Sequence, residues 1–358
     1  MISRYHCTRA DLAEALDGEP RYRVDQVWRG WYEQLATTDE LTSLPKSLRS
    51  KLDRIAPLAL TEEVRRVSDD GETVKYLWRL DDGSHIETVL MLYPDRVTVC
   101  VSSQAGCAMG CGFCATGQAG FTRQLTIGEI VEQVVRASRE AKDMSRRLAN
   151  VVFMGMGEPL ANEAAVWGAV ERIHGDLGLS ARHLTISTIG IVPGIRALTG
   201  RPLPVNLAVS LHSANDADRS RLIPMNKRYP LDALMSACSD YLQVKGRRIS
   251  FEWALIDGVN DRISDADELA ALCRQFRLPA HVNLIPLNPT PGWPTKGSSP
   301  ARVKEFRQLL DDRRVNATVR RNRGTDIEAA CGQLAAGQAI APGPVPAPVP
   351  VPIELRRT

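Results

Sequence analysis

Apolar positions along the chain follow two periods, and the switch between them divides it. Over residues 11–16 and 24–35 they recur at helical spacing, and the stretch closes on Leu-Pro-Lys-Ser-Leu-Arg-Ser-Lys-Leu. Residues 1–65 are therefore expected to form a small helical accessory domain. From Thr73 the pattern becomes alternation: Val74-Lys75-Tyr76-Leu77-Trp78-Arg79-Leu80, a turn at Asp81-Asp82-Gly83, residues 85–93, a Pro94-Asp95 turn, then residues 96–102. A β-meander is expected there. Beyond it, strand-like runs at 150–154, 183–187, 205–211, 249–255, 281–286 and 317–321 alternate with helical runs at 126–142, 163–177, 192–199, 231–244, 265–276 and 301–313. Thr126 and Glu129 have capping-box spacing at the start of the first helix. Repeated strand and helix units predict an α/β fold with a parallel sheet. The strand count favours a partial (β/α)6 barrel with an N-terminal β extension, over residues 66–342, rather than a doubly wound sheet. Five prolines between Pro344 and Pro352 make residues 343–358 an expected disordered tail.

Composition narrows the class. The 358 residues are 44% apolar and 24% charged, as in soluble globular proteins. No apolar signal region opens the chain and no run of about 18 apolar residues occurs, so a cytoplasmic protein is expected. Eight cysteines in that setting do not predict a disulfide framework. Cys7, Cys238 and Cys273 sit in helical patterns and read as small buried residues. A net charge of +3 is too weak to imply nucleic acid, yet Lys296 to Arg323 carries nine basic residues against three acidic ones. That run suits a phosphate-contacting surface or a solvated helix face.

Candidate chemistry begins at Cys107, Cys111 and Cys114, spaced C-x3-C-x2-C among Gly106, Gly110, Gly112 and Gly117. A structural zinc site closes on four ligands, and no second C-x2-C or paired His follows nearby. Three thiolates suit a 4Fe-4S cluster with one iron open, which chelates the amino and carboxylate groups of S-adenosylmethionine and generates a 5′-deoxyadenosyl radical. Glycine lets the loop fold around so bulky a group.

The cysteine triad, the helix opening Leu-Thr-Ile-Gly-Glu-Ile, Val-Val-Phe-Met-Gly-Met-Gly-Glu-Pro-Leu, Val-Ser-Leu-His and the terminal Ala-Ala-Cys-Gly-Gln-Leu together resemble the RlmN/Cfr family of radical S-adenosylmethionine RNA methyltransferases. The resemblance runs from about Arg21 to Leu334, and the helical segment around Tyr22 to Trp28 resembles the accessory domain of the RlmN branch. It implies that Gly157 and Glu158 hold the amino end of S-adenosylmethionine. Ser187, Ser210, Leu211, His212 and Asn288 would line the rest of that pocket. The residues read alone agree in part: Gly157, Ser187, Ser210 to His212 and Asn288 fall at or just past the C-terminal ends of expected strands, the rim where parallel barrels bind ligands.

Two more cysteines answer a chemical difficulty. Adenine C2 and C8 are electron-poor and do not displace the methyl of S-adenosylmethionine. The resemblance implies that Cys331 accepts the methyl first, that the radical from a second cofactor molecule activates it for addition to the ring, and that a Cys100–Cys331 disulfide releases the product. Cys331 calls for positive neighbours, and Arg320, Arg321 and Arg323 precede it. In Val97-Thr98-Val99-Cys100-Val101-Ser102 the valines take one face and Cys100 the other. If Pro94-Asp95 is a two-residue turn, Glu87 falls opposite Ser102 on the Cys100 face. Glu87 is then a candidate proton acceptor, as the resemblance also implies; a solvated strand carboxylate, or Cys100 as the base, are the alternatives.

The expected activity is methylation of C2 of an adenosine in the peptidyl transferase region of 23S rRNA and of the adenosine following the anticodon in tRNA, with two S-adenosylmethionine molecules per turnover. Expected partners are those RNAs and an external flavodoxin-type electron donor; a monomer without membrane attachment is expected. The alternatives are a Cfr-like C8 methyltransferase and a non-catalytic RNA-binding protein with a structural metal.

Overall fold

Three helices, α1 (Arg9–Ala15), α2 (Tyr22–Tyr32) and α3 (Lys46–Ile55), precede the sheet in the computed structural model, which describes residues 2–276, 281–290 and 292–336. The expected proline-rich tail lies outside the described residues. α1 opens on a capping box, Thr8 accepting from the Asp11 N–H while the Asp11 carboxylate accepts from the Thr8 N–H. α2 turns Val27, Trp28, Trp31 and Tyr32 inward, and they share one continuous core with the barrel.

The strand pattern starts earlier than the expected boundary at residue 65. β1 (Thr61–Val67) is exposed at all seven positions, so burial leaves no alternation in its sequence. It is an edge strand, paired antiparallel with β2 (Thr73–Arg79). β2, β3 (His85–Leu92) and β4 (Val97–Cys100) form the expected meander. A two-stranded hairpin, β5 (Gln104–Gly106) and β6 (Phe121–Gln124), then encloses the cysteine loop and the short α4 (Ala115–Ala119).

After this hairpin the chain alternates: α5 (Ile127–Asp143), β7 (Leu148–Phe153), α6 (Glu163–Gly175), β8 (Leu184–Thr188), α7 (Val192–Gly200), β9 (Asn206–Ser210), α8 (Asp216–Leu222), α9 (Leu231–Lys245), β10 (Ile249–Leu255), α10 (Ile263–Gln275), β11 (His281–Pro286), α11 (Pro300–Asp312) and β12 (Asn316–Val319). Ten strands make one sheet in the order β1-β2-β3-β4-β7-β8-β9-β10-β11-β12. Pairing is parallel from β4 to β12. β1 and β12 are the two edges, so the barrel is partial, with six strand and helix repeats between β4 and β12. The accessory helices dock on the barrel: Trp28 Nε1 donates to Asp176 at 2.9 Å, and Arg172 donates to the Cys7 carbonyl at 2.7 Å and the Tyr32 hydroxyl at 3.0 Å. Among the described residues no helix is long and apolar enough to cross a membrane.

α5 carries both a start signal and a hidden strut. Its capping box is present, Thr126 N–H donating to Glu129 at 2.8 Å. One turn on, Gln133 is wholly buried. Its Oε1 accepts from the Ser102 N–H and the Thr88 hydroxyl, both at 2.8 Å, and its Nε2 donates to the Ser102 and Glu129 carbonyls at 3.0 and 3.2 Å. This one amide fixes the backbone just past Cys100.

Gln133→Leu strands those buried groups, each costing roughly 1–3 kcal/mol when unpaired. Urea unfolding should show a loss of at least about 2 kcal/mol. A loss under about 0.5 kcal/mol would contradict the strut.

Candidate active site

β5 ends at Gly106, and the next residue is Cys107. The turn requires glycine: Gly106 has φ +74°, and a Cβ there would lie 2.0 Å from the Gly120 carbonyl oxygen. The Cys107 N–H donates to that same carbonyl at 2.7 Å, and the Cys114 N–H donates to the Cys111 carbonyl at 3.1 Å. Gly112 lies under the Trp293 ring, where a Cβ would meet ring carbons at 2.4 Å.

Burial pushes the Cys107 thiol up to about 12, and Cys114 adds to the rise. Cys111 is pushed well above its ordinary value by burial, then by Cys114 and Cys107. Cys107 and Cys111 therefore sit in one low-dielectric loop, where burial and the neighbouring thiols oppose their ionisation until a polycationic group binds. Among the described residues no three His, Cys, Asp or Glu side chains are grouped to hold a single metal ion. A cubane makes a different demand, since its three thiolates sit on three separate irons. The donor set and the glycine cradle fit a 4Fe-4S cluster.

Beside this loop lies the rim of the barrel. Gly157 and Glu158 follow β7; Gly157 has φ +100°, and a Cβ would meet Gln104 at 2.5 Å. Glu158 is buried, its carboxylate accepting from the Leu160 N–H at 3.0 Å and the Ile189 N–H at 2.9 Å. Burial raises its pKa to about 7, and its charge in turn opposes ionisation of Cys107 and Cys111. A carboxylate so placed fits a cationic amino group arriving at the cysteine loop.

His212, past the end of β9, has φ +57°, and its ring meets Phe113 edge to face at 4.9 Å, joining the rim to the cysteine loop. Its Nδ1 accepts from the Ala254 N–H at 2.9 Å. Burial, helped by Arg219, lowers its pKa to about 3. Ser187 lies in β8 and Ser210 ends β9, both half-buried. Leu211 is a core side chain whose carbonyl already accepts from Arg219 Nε at 3.0 Å and the Ser213 N–H at 2.8 Å.

Arg219 carries no mark in the sequence, yet it is among the largest fully buried side chains. It donates to Asn226 Oδ1 at 2.7 Å and to the carbonyls of Leu211, Ile189 and Ser210 at 3.0, 2.5 and 3.2 Å, tying the ends of β8 and β9 together. Its burial lowers its pKa to about 10.

The chain end returns to this rim. The Ala115 N–H donates to the Gly332 carbonyl at 2.8 Å, Thr116 Oγ1 to the Leu334 carbonyl at 2.6 Å, and Asn288 Nδ2 to the Cys331 carbonyl at 3.1 Å. Cys331 is thereby brought to Cys100, 231 positions away in sequence. Burial pushes the Cys100 thiol up to about 12, with Cys331 the next cause. Arg320 is held charged chiefly by Cys331. Of the three expected arginines it alone faces this sulfur. Arg323 is taken up by Glu72 at 2.6 Å and the Leu92 carbonyl at 3.1 Å, while Arg321 stays exposed. Elsewhere in the basic run Arg302 and Arg307 pair with Glu305 and Asp311 of the same run, and Arg313 with Asp267 outside it. All eight cysteines are free thiols, so the expected Cys100–Cys331 bridge is not a standing feature of this structure.

Glu87 sits where the turn argument put it. The Tyr93 N–H donates to the Arg96 carbonyl at 2.8 Å, Val89 pairs with Cys100, and Ser102 Oγ donates to the Glu87 carbonyl at 2.6 Å. Its side chain is 3% exposed and lies 3.2 Å from Lys75 Nζ, which overturns the solvated-carboxylate alternative.

Residues 101–271 match the Radical SAM superfamily. The chain is 53% identical to a probable dual-specificity RNA methyltransferase RlmN of Frankia casuarinae, covering 93% of this chain and 82% of the relative. It is 49% identical to the probable RlmN of Chloroflexus aurantiacus, covering 94% and 93%. The chain belongs to the RlmN family of dual-specificity RNA methyltransferases. A solved radical SAM methyltransferase from Sphaerobacter thermophilus superposes with a TM-score of 0.90 at 52% identity, over 94% of this chain and all of that one. As an RlmN-family radical SAM methyltransferase, the enzyme uses a 4Fe-4S cluster and S-adenosylmethionine.

His212 gives the site a pH signature. Because its folded pKa, about 3, lies below the ordinary histidine value, its contribution to stability is present above about pH 6.5 and is lost as pH falls toward 3. Between pH 7.5 and pH 5 the urea midpoint of the native protein should fall further than that of His212→Asn. Equal falls would contradict a neutral, buried His212.

Proposed function

We propose that this protein methylates C2 of an adenosine in the peptidyl transferase region of 23S rRNA and of the adenosine following the anticodon in tRNA. The RNA substrates rest on the relatives, which are dual-specificity RNA methyltransferases. Cys107, Cys111 and Cys114 would hold the cluster. Gly157, Glu158, Ser187, Ser210, Leu211, His212 and Asn288 would line the S-adenosylmethionine pocket. Together the bound groups supply a methyl group and a hydrogen-abstracting radical.

The chain's own residues do the rest. Cys331 carries the carbon to the ring, with Arg320 as the cation beside its sulfur. Glu87, buried on the Cys100 face of the meander, takes the ring proton. Cys100, having lost its thiol proton, then bonds to Cys331 Sγ as the bond from that sulfur to the transferred carbon breaks; the electron pair of that bond goes to the carbon, which takes up a proton and remains on adenine as the methyl group. The observation that carries the proposal is the meeting of a buried Cys100 with an exposed Cys331 at the rim of the barrel. A flavodoxin-type donor supplies the electrons, and the enzyme acts as a monomer.

Replacing any one of Cys107, Cys111 or Cys114 by Ala should abolish radical cleavage of S-adenosylmethionine and RNA methylation together. A variant with full turnover would end the radical assignment.

Cys100→Ala retains the carrier and the cluster thiols but has no group to resolve the adduct. It should accumulate enzyme joined to RNA through Cys331, detected as a nuclease-trimmed mass on the peptide containing Cys331. Cys331→Ala should form none. Normal turnover by Cys100→Ala would contradict disulfide resolution.

A further inference from the structure

Lys75 was legible in sequence only as one position of an alternating strand, where a lysine is ordinarily solvated. In the structure Thr73, Val74, Lys75 and Tyr76 are all buried, because β2 is covered on both faces. On one face Trp78 lies under α5, its Nε1 donating to Thr88 at 2.9 Å and the Arg136 guanidinium stacked over its ring at 5.0 Å. The other face is covered by the returning chain end: Gly324 has φ +62°, and a Cβ there would come within 2.9 Å of the Thr73 methyl.

Lys75 belongs to this second face. It pairs in register with Val89, which pairs in turn with Cys100, and Glu87 is its diagonal neighbour. Its Nζ lies 3.2 Å from Glu87 Oε1, the two side chains 8% and 3% exposed. The same Nζ donates to the Glu328 carbonyl at 3.2 Å. The other Glu87 oxygen, Oε2, accepts from the Ala335 N–H at 3.1 Å. The ion pair thus grips the returning segment three residues before Cys331 and four residues after it.

We infer that Lys75 is a positioning residue that keeps Glu87 available as the proton acceptor and sets the place of Cys331 relative to it. The inference rests on the reading of Glu87 as the base. Its physical ground is that a carboxylate this buried takes up a proton rather than remain charged without a partner. The ammonium group is that partner. Because the same pair holds both flanks of Cys331, the base and the sulfur are fixed by one interaction rather than two.

The test compares Lys75→Gln, Lys75→Arg and Glu87→Gln in the cluster-loaded full chain. Gln keeps a hydrogen-bond donor without the charge, so a foldable variant is available even if an apolar one fails. Methylation by Lys75→Gln should fall at least about tenfold at pH 7 and recover toward the native rate as pH is raised to 9, since more base is then needed to ionise the unpartnered carboxylate. Lys75→Arg should restore most of the pH 7 rate. Amide exchange followed by mass spectrometry, which needs no activity, should show reduced protection over residues 328–335 in Lys75→Gln. An inactive Glu87→Gln together with a native pH profile and native exchange in Lys75→Gln overturns the role of Lys75 alone. Full turnover by Glu87→Gln overturns the reading of Glu87 as base and the inference with it.

Discussion

The site depends on one constraint: the chain end must return across the open edge of the barrel and have its buried backbone groups satisfied there. Five hydrogen bonds meet that demand. Ala115, Thr116 and Asn288 bind the carbonyls of Gly332, Leu334 and Cys331, and Lys75 and Glu87 bind the Glu328 carbonyl and the Ala335 N–H. Their sources are the cysteine loop, the end of β11 and the meander, so each functional part of the molecule holds the same short segment. An unpaired buried backbone group costs roughly 1–3 kcal/mol, enough for these contacts to fix the segment against the chain entropy of its few residues.

Charge buried against partners supplies the chemistry. Lys75 and Glu87 are sealed together, and Arg320 lies between Cys331 and Glu252, 3.4 Å from the latter. Arg219 spends its guanidinium on three carbonyls and an amide at the strand ends. Glu158 and His212, without a charged partner, are shifted toward their neutral forms by burial. Burial without a charged partner therefore disfavours the charged forms of Glu158 and His212. Glu87 and Cys331 each have a cation beside them, Lys75 and Arg320.

Much of this was legible in the sequence. The six barrel strands fall within two residues of the expected starts and ends, because short runs rich in β-branched and apolar residues stand out from the helical patterns on either side. The Glu87–Ser102 register followed from a two-residue turn, since hairpin geometry is local. What the sequence hid is non-local. β1, Thr-Glu-Glu-Val-Arg-Arg-Val, has no buried face to print a period. Lys75 looks like a solvated charge until Glu87 and the returning Glu328 carbonyl reach it, and Arg219 until the backbone at the ends of β8 and β9 closes around it. Leu211, expected at the cofactor pocket, has a fully buried side chain and a carbonyl that accepts from Arg219.

The proposed function requires these groups to deliver a carbon to C2 of adenine. Mass spectrometry of nucleosides from 23S rRNA and tRNA treated with the reduced, cluster-loaded enzyme and S-adenosylmethionine tests it most directly. 2-Methyladenosine should form in both RNAs, and should be absent when Cys331 is replaced by Ala. Formation of 8-methyladenosine in its place, or of 2-methyladenosine by Cys331→Ala, would contradict it.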